Sequence, residues 1–85
     1  MNATKVEAAV RRVGPDGAIV AFKTCHPNEG VVLALVPSLT LPWVTWLWWT
    51  TYTDGTTVPG SGASLASGHY HDNLEAALAD FAKRR

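Results

Sequence analysis

Charge is what this chain has least of. Asp, Glu, Lys and Arg make up 16% of its 85 residues, well below the usual quarter, and seven basic residues balance seven acidic ones. A net charge of zero argues against a dedicated nucleic-acid binder, because affinity for phosphate backbones comes chiefly from a surplus of Lys and Arg. The basic clusters Arg11-Arg12 and Lys83-Arg84-Arg85 are local. A solvated face and a cation-favouring helix end account for them. Cysteine is scarcer still. Cys25 stands alone, so no intramolecular disulfide can form, no oxidising compartment is implied, and the cytoplasm is the expected location. An apolar leader is also missing, since Lys5 and Glu7 interrupt the first residues, and no signal peptide is expected.

No Asp, Glu, Lys or Arg occurs from Gly30 to Thr53. About 20 apolar residues suffice to cross a bilayer, so this stretch is the one membrane candidate. Pro37 and Pro42 would break a helix in its middle, and Ser38, Thr40, Thr45, Thr50 and Thr51 add polarity where lipid offers no partner. Its β-branched and aromatic content reads instead as extended structure, and no membrane association is expected.

What the chain has in abundance is tryptophan in one place: all four lie between Trp43 and Trp49. Val31 to Val36 is an apolar run of strand length, Pro37 to Pro42 changes direction, and a second strand runs from Trp43 to about Tyr52. Period-two alternation puts Val44, Trp46, Trp48 and Tyr52 on one face and Trp43, Leu47 and Trp49 on the other. Both faces are apolar, so this strand needs cover on both sides. A fully buried tryptophan removes about 200 Å² from water, worth up to roughly 5 kcal/mol, which makes several exposed ones costly.

Around this centre the elements read as follows. Val6, Ala8 and Val10 alternate with Lys5, Glu7 and Arg11, which predicts a strand over 4–13; Gly14-Pro-Asp-Gly17 is then a turn, and Ala18 to Thr24 the returning strand of a hairpin. A helix is the alternative over 4–13, because Val6, Ala9, Val10 and Val13 have helical spacing, Thr4 and Glu7 fit a capping box, and Gly14-Pro15 fits a helix stop. His26 to Gly30 is a loop by composition, and Thr53 to Ala63 is a Gly/Pro/Ser/Thr-rich connection. Ser64 to His71 is read as a last strand. Asp72 is a good N-cap, Glu75 follows three residues on, and Leu74, Ala77, Leu78 and Phe81 mark a C-terminal amphipathic helix. The expected fold is a single α+β domain over residues 1–85, an antiparallel sheet of four or five strands with one C-terminal helix packed on it.

Trp43-Val-Thr-Trp46, followed by Gly68-His-Tyr70 and by Leu74-x-x-Ala77-x-x-Asp80-Phe-x-x-Arg84, resembles small uncharacterised proteins of actinobacterial phages and their hosts over Trp43 to Arg84. The resemblance implies a strand, a hairpin and a capping helix without known catalytic residues. It also implies a cytoplasmic accessory protein that binds a host factor.

Catalytic chemistry finds little support. Ser61, Ser64 and Ser67 precede His69, His71 and Asp72, yet Gly62-Ala-Ser64-Leu-Ala66 lacks the second glycine of a nucleophile elbow and leads into a strand. Gly60, Gly62 and Gly68 have no Lys-Ser/Thr after them, so no phosphate loop is present. Glu7, Glu29, Asp54 and Asp72 show no spacing that pairs two carboxylates. A non-enzymatic protein without a cofactor is expected. The sharper reading of the tryptophan strand is a protein-binding or self-association surface, giving a homodimer, with Trp43, Trp46, Trp48, Trp49 and Tyr52 as contact residues. The plainer reading places most of them in the core. Stacking of nucleic-acid bases lacks the surrounding basic groove. A zinc-binding or zinc-stabilised protein is the alternative from another class: His69 and His71 share a strand face, and Cys25 or His26 could add ligands, although adjacent strand residues point to opposite faces.

Overall fold

A computed structural model describes residues 2–50 and 63–84. The N-terminal segment is a helix, α1 (Asn2–Val13), and the strand expected over 4–13 is corrected. Val6 and Val10 suit either period, so the two readings differ at Ala8 and Ala9. Ala9 is buried and Ala8 exposed, which is the helical solution. Alanine, arginine, lysine and glutamate favour a helix, and Glu7 and Arg11 form an i,i+4 ion pair at 3.6 Å. The helix stops at Gly14, whose N–H donates to the Val10 carbonyl. A Cβ there would lie 2.4 Å from Val36 Cγ1, so this turn needs glycine to sit against the core.

The hairpin expected between 4–13 and 18–24 is therefore absent. Strand β1 (Ala18–His26) pairs instead with β2 (Glu29–Leu35) across a two-residue turn at Pro27-Asn28, tighter than the loop read over His26 to Gly30. β2 pairs with β3 (Trp43–Trp49), and β3 with β4 (Ser64–His71). The result is a four-stranded antiparallel sheet in the order β1-β2-β3-β4. Helix α2 (Leu74–Lys83) follows, and its N-cap is Asn73 rather than Asp72: the Asn73 side chain accepts the Ala76 N–H at 2.8 Å. The α+β class, the antiparallel sheet and the C-terminal helix are as the sequence predicts. The N-terminal helix is additional.

That helix answers the two-faced apolar strand. α1 packs Val6, Ala9 and Val10 onto the face carrying Val32, Ala34, Val44, Trp46 and Trp48, all buried, with Ile19, Phe22, Leu39 and Leu65 at the margin. α1 also touches the edge strands β1 and β4, so the sheet curls around it. α2 lies on the opposite face, against β2, β3 and β4, over the fully buried Val31 and Leu33. Phe22 stacks on Trp48 with ring centroids 5.0 Å apart, and Trp46 meets Tyr70 edge-on at 6.3 Å. The β3–β4 register slips between Thr45 and Leu47, where Ser67 takes a positive φ of 54° beside Gly68. A Cβ on Gly68 would come within 2.9 Å of Trp46 Nε1, so the bulge lets the indole lie under the strand. Among the described residues no helix is long and apolar enough to cross a membrane.

Candidate functional site

β4 ends at His71, opposite Trp43, and the chain turns directly into α2. This brings three elements together over one polar cluster. Thr45 on β3 is fully buried, and its neighbour in register on β4 is His69. Asp80 lies three residues beyond the buried Ala77, on the side of α2 that faces the sheet. The Thr45 hydroxyl donates to Asp80 Oδ2. His69 Nδ1 lies 3.1 and 3.0 Å from the two Asp80 oxygens. Arg84 Nη1 donates to both the carbonyl and the hydroxyl oxygen of Thr45 at 3.0 Å. The Thr45 hydroxyl thus accepts from Arg84 and donates to Asp80.

Burial on its own would raise the Asp80 carboxyl. The hydrogen bonds from Thr45 and His69 and the charges of His69 and Arg84 outweigh it and hold the group below its ordinary value of 3.8. With Asp80 ionised, His69 carries its proton on Nδ1. His71 approaches the same carboxylate less closely: its Nε2 is buried, 3.6 Å from Asp80 Oδ2, and makes no hydrogen bond.

An aspartate orienting a half-exposed histidine can move a proton. Among the described residues no serine or cysteine is hydrogen-bonded to either imidazole. The one hydroxyl in the cluster, on Thr45, is sealed from solvent. The cluster therefore reads as a polar clip that seats α2 on β3 and β4. The sequence reading singled out His69 and His71 but not Thr45, Asp80 or Arg84 as a unit. The available signal was one polar residue at an inward position of each element: Thr45 between Trp43 and Leu47, and Asp80 at Ala77 plus three.

The two histidines do share one side of the sheet, whereas Cys25 and His26 lie at the opposite end, where β1 turns into β2. Among the described residues no group of three or more His, Cys, Asp and Glu could hold a metal ion. Cys25, His26, Glu29, Gly30, Leu47, Trp48 and Trp49 line a cavity of about 180 Å³, and the buried Trp49 Nε1 has no hydrogen-bond partner. That volume is below the roughly 300 Å³ at which small-molecule sites begin.

The proposed contact tryptophans divide. Trp46 and Trp48 are 4% and 1% exposed under α1, while Trp43 and Trp49 are half-buried at the two ends of the α2 face; Tyr52 lies outside the described residues, as do Ser61, Gly60, Gly62 and Asp54. Leu74 and Leu78 on α2 are 36% and 43% exposed, although periodicity marked them as core. α2 is centred on Ala77, and its inward arc is shared with Asp80, Phe81 and Arg84, which pushes both leucines to the outer flank. Comparison with protein-family models, curated proteins and solved structures finds no match.

Proposed function

We propose that this protein is a small non-catalytic module that binds another protein chain through the outer flank of α2. The observation that carries the reading is the exposure of Leu74 and Leu78 at i, i+4 on a helix whose inner side is already packed. Among the described residues both sheet faces have their own helix, and no element covers these leucines. Trp43, half-buried, stands opposite His71 at the end of the sheet where β4 turns into α2. Tryptophan and other large apolar side chains at a rim of this kind are the usual anchors of protein contacts. The resemblance to small phage and host proteins supports an accessory role in the cytoplasm with a protein as partner. The one hydroxyl of the polar clip, on Thr45, is buried and already donates to Asp80, which fits a structural role.

The test is capture from a native-host extract by wild type, by Leu74→Lys/Leu78→Lys and by Val20→Lys, an exposed β1 position away from α2. Bound protein lost in the leucine variant alone supports the reading. Equal capture by all three overturns it.

A further inference from the structure

The two helices are held to the sheet by different means. α1 sinks Val6, Ala9 and Val10 into the core, and all three are buried. Of the ten residues of α2 only Ala77 is buried; Asp80 and Phe81 are half-buried and the other seven are exposed. An alanine methyl is a small apolar anchor, so burial of its own side chains does little to seat α2. Polar contacts take over that task. Thr45 donates to Asp80, His69 Nδ1 meets the same carboxylate, Arg84 donates to Thr45, and Lys23 Nζ donates to the Phe81 carbonyl at 2.7 Å. Beneath α2, Val31 and Leu33 are wholly buried, yet both stand outside the cluster on which α1 packs.

We propose that α2 is a releasable cover and the polar clip its latch. α2 lifts from the sheet as a unit while α1 and the four strands stay folded. Lifting uncovers Val31 and Leu33, with the half-buried Leu47 beside Val31 in register. Openings smaller than global unfolding occur where an element has few buried apolar contacts. A polar seat also opens more readily than an apolar one, because Thr45, Asp80 and Arg84 regain hydrogen bonds to water once α2 is off. α2 leaves β4 through Asp72 and Asn73 alone, so no strand pairing has to break. Its cap travels with it, since Asn73 accepts the Ala76 N–H from within the same segment. The cover goes beyond the partner contact at Leu74 and Leu78 and does not rest on it.

Hydrogen exchange of the native full chain, read amide by amide in NMR from zero to about 2 M urea, tests this. Amides of α2 from Leu78 onward are expected to share one opening, at least about tenfold more populated than that of β2 and β3 amides. Its urea dependence should be shallower, because less surface is uncovered. Val10→Ala weakens the core on the other face of the sheet; it should speed exchange in α1, β2 and β3 about tenfold or more and leave α2 unchanged. Thr45→Val breaks the latch and should speed α2 about tenfold. Amides of α2 that open only with β2 and β3, or that speed up in step with them in Val10→Ala, overturn the cover. Protection that fades gradually toward Lys83 and ignores Thr45→Val is fraying of a helix end, and overturns it too. If Val10→Ala does not fold, the urea series on wild type decides alone.

Discussion

If Thr45, Asp80, His69 and Arg84 act as one clip, removing Asp80 and Thr45 together costs less than the sum of removing each. Asp80→Ala strands the Thr45 hydroxyl, which is fully buried, with no acceptor, and takes the carboxylate from His69. An orphaned buried hydroxyl costs about 1–3 kcal/mol, and hydrogen bonds to a charged group are worth about 1.5–3 kcal/mol each, so a loss near 3 kcal/mol is expected. Thr45→Val keeps the shape, removes one donor to Asp80 and one acceptor for Arg84, and costs about 1–2 kcal/mol. In the double variant no hydroxyl is left stranded. The coupling is therefore about 1–2 kcal/mol, read from urea unfolding of the four proteins at pH 7. Single losses that add to within about 0.5 kcal/mol would refute the clip.

The pH dependence supplies a second arm. Asp80 in the folded protein titrates below 3.8, its ordinary value, so over that window the unfolded chain binds the extra proton. Its contribution is whole above 3.8 and is lost as pH falls through the lowered folded value. Wild type should lose more stability between pH 5 and pH 2 than Asp80→Ala, with the two converging in acid. Parallel curves would show that the carboxylate stabilises nothing in the fold.

Three further substitutions probe the layers. Trp48→Ala removes a 1%-exposed ring stacked on Phe22, and a loss of about 3–5 kcal/mol in chemical denaturation is expected; a loss under 1 kcal/mol would place that indole outside the core. Gly30→Ala puts a Cβ 2.0 Å from the Lys23 carbonyl oxygen, a backbone atom that cannot swing aside, and should cost at least about 2 kcal/mol while broadening amide signals across the β1–β2 hairpin in heteronuclear NMR. Lys23→Met keeps the aliphatic stem but removes the ammonium that donates to the Phe81 carbonyl at 2.7 Å and sits 4.7 Å from the Phe81 ring centroid; about 1 kcal/mol should be lost, with faster hydrogen exchange in the last turn of α2.

All four strands and α2 were legible: Ala18 to Thr24, Val31 to Val36, the Trp strand from Trp43 and Ser64 to His71 each read as extended, and Leu74, Ala77, Leu78 and Phe81 have helical spacing. The pairing of β1 was not, because the sequence placed its partner at 4–13. The N-terminal segment was ambiguous for a specific reason: valines at 6 and 10 satisfy both periods, and the deciding positions are two adjacent alanines of equal size. Helix propensity separates the readings there, and the Trp strand's need for a second covering layer agrees with it. The cap shifted by one residue because Asp72 and Asn73 are both good N-caps. The clip was harder to see. Its members are separated by up to 39 positions, and only the packing of α2 shows which polar residues converge.

The scarcity of charge acquires a different meaning once the contacts are known. Arg11 donates to the Gly17 carbonyl, Arg12 to Ala63, Lys23 to Phe81 and Arg84 to Thr45. Four of the seven basic residues thus tie one element to the next, and Asp80 faces inward as well. Lys23, Asp80 and Arg84 are half-buried in these contacts, while Arg11 and Arg12 remain exposed. α2 shows the division most sharply: its inner side holds Asp80 and Arg84, while its outer side carries Leu74, Leu78 and exposed alanines with Glu75 and Lys83 at the two ends. Ala77 and Phe81 still face the sheet beside Asp80 and Arg84, so α2 is amphipathic with Leu74 and Leu78 left at its outer flank. Those two leucines, rather than the tryptophan count, direct the search for a partner to α2.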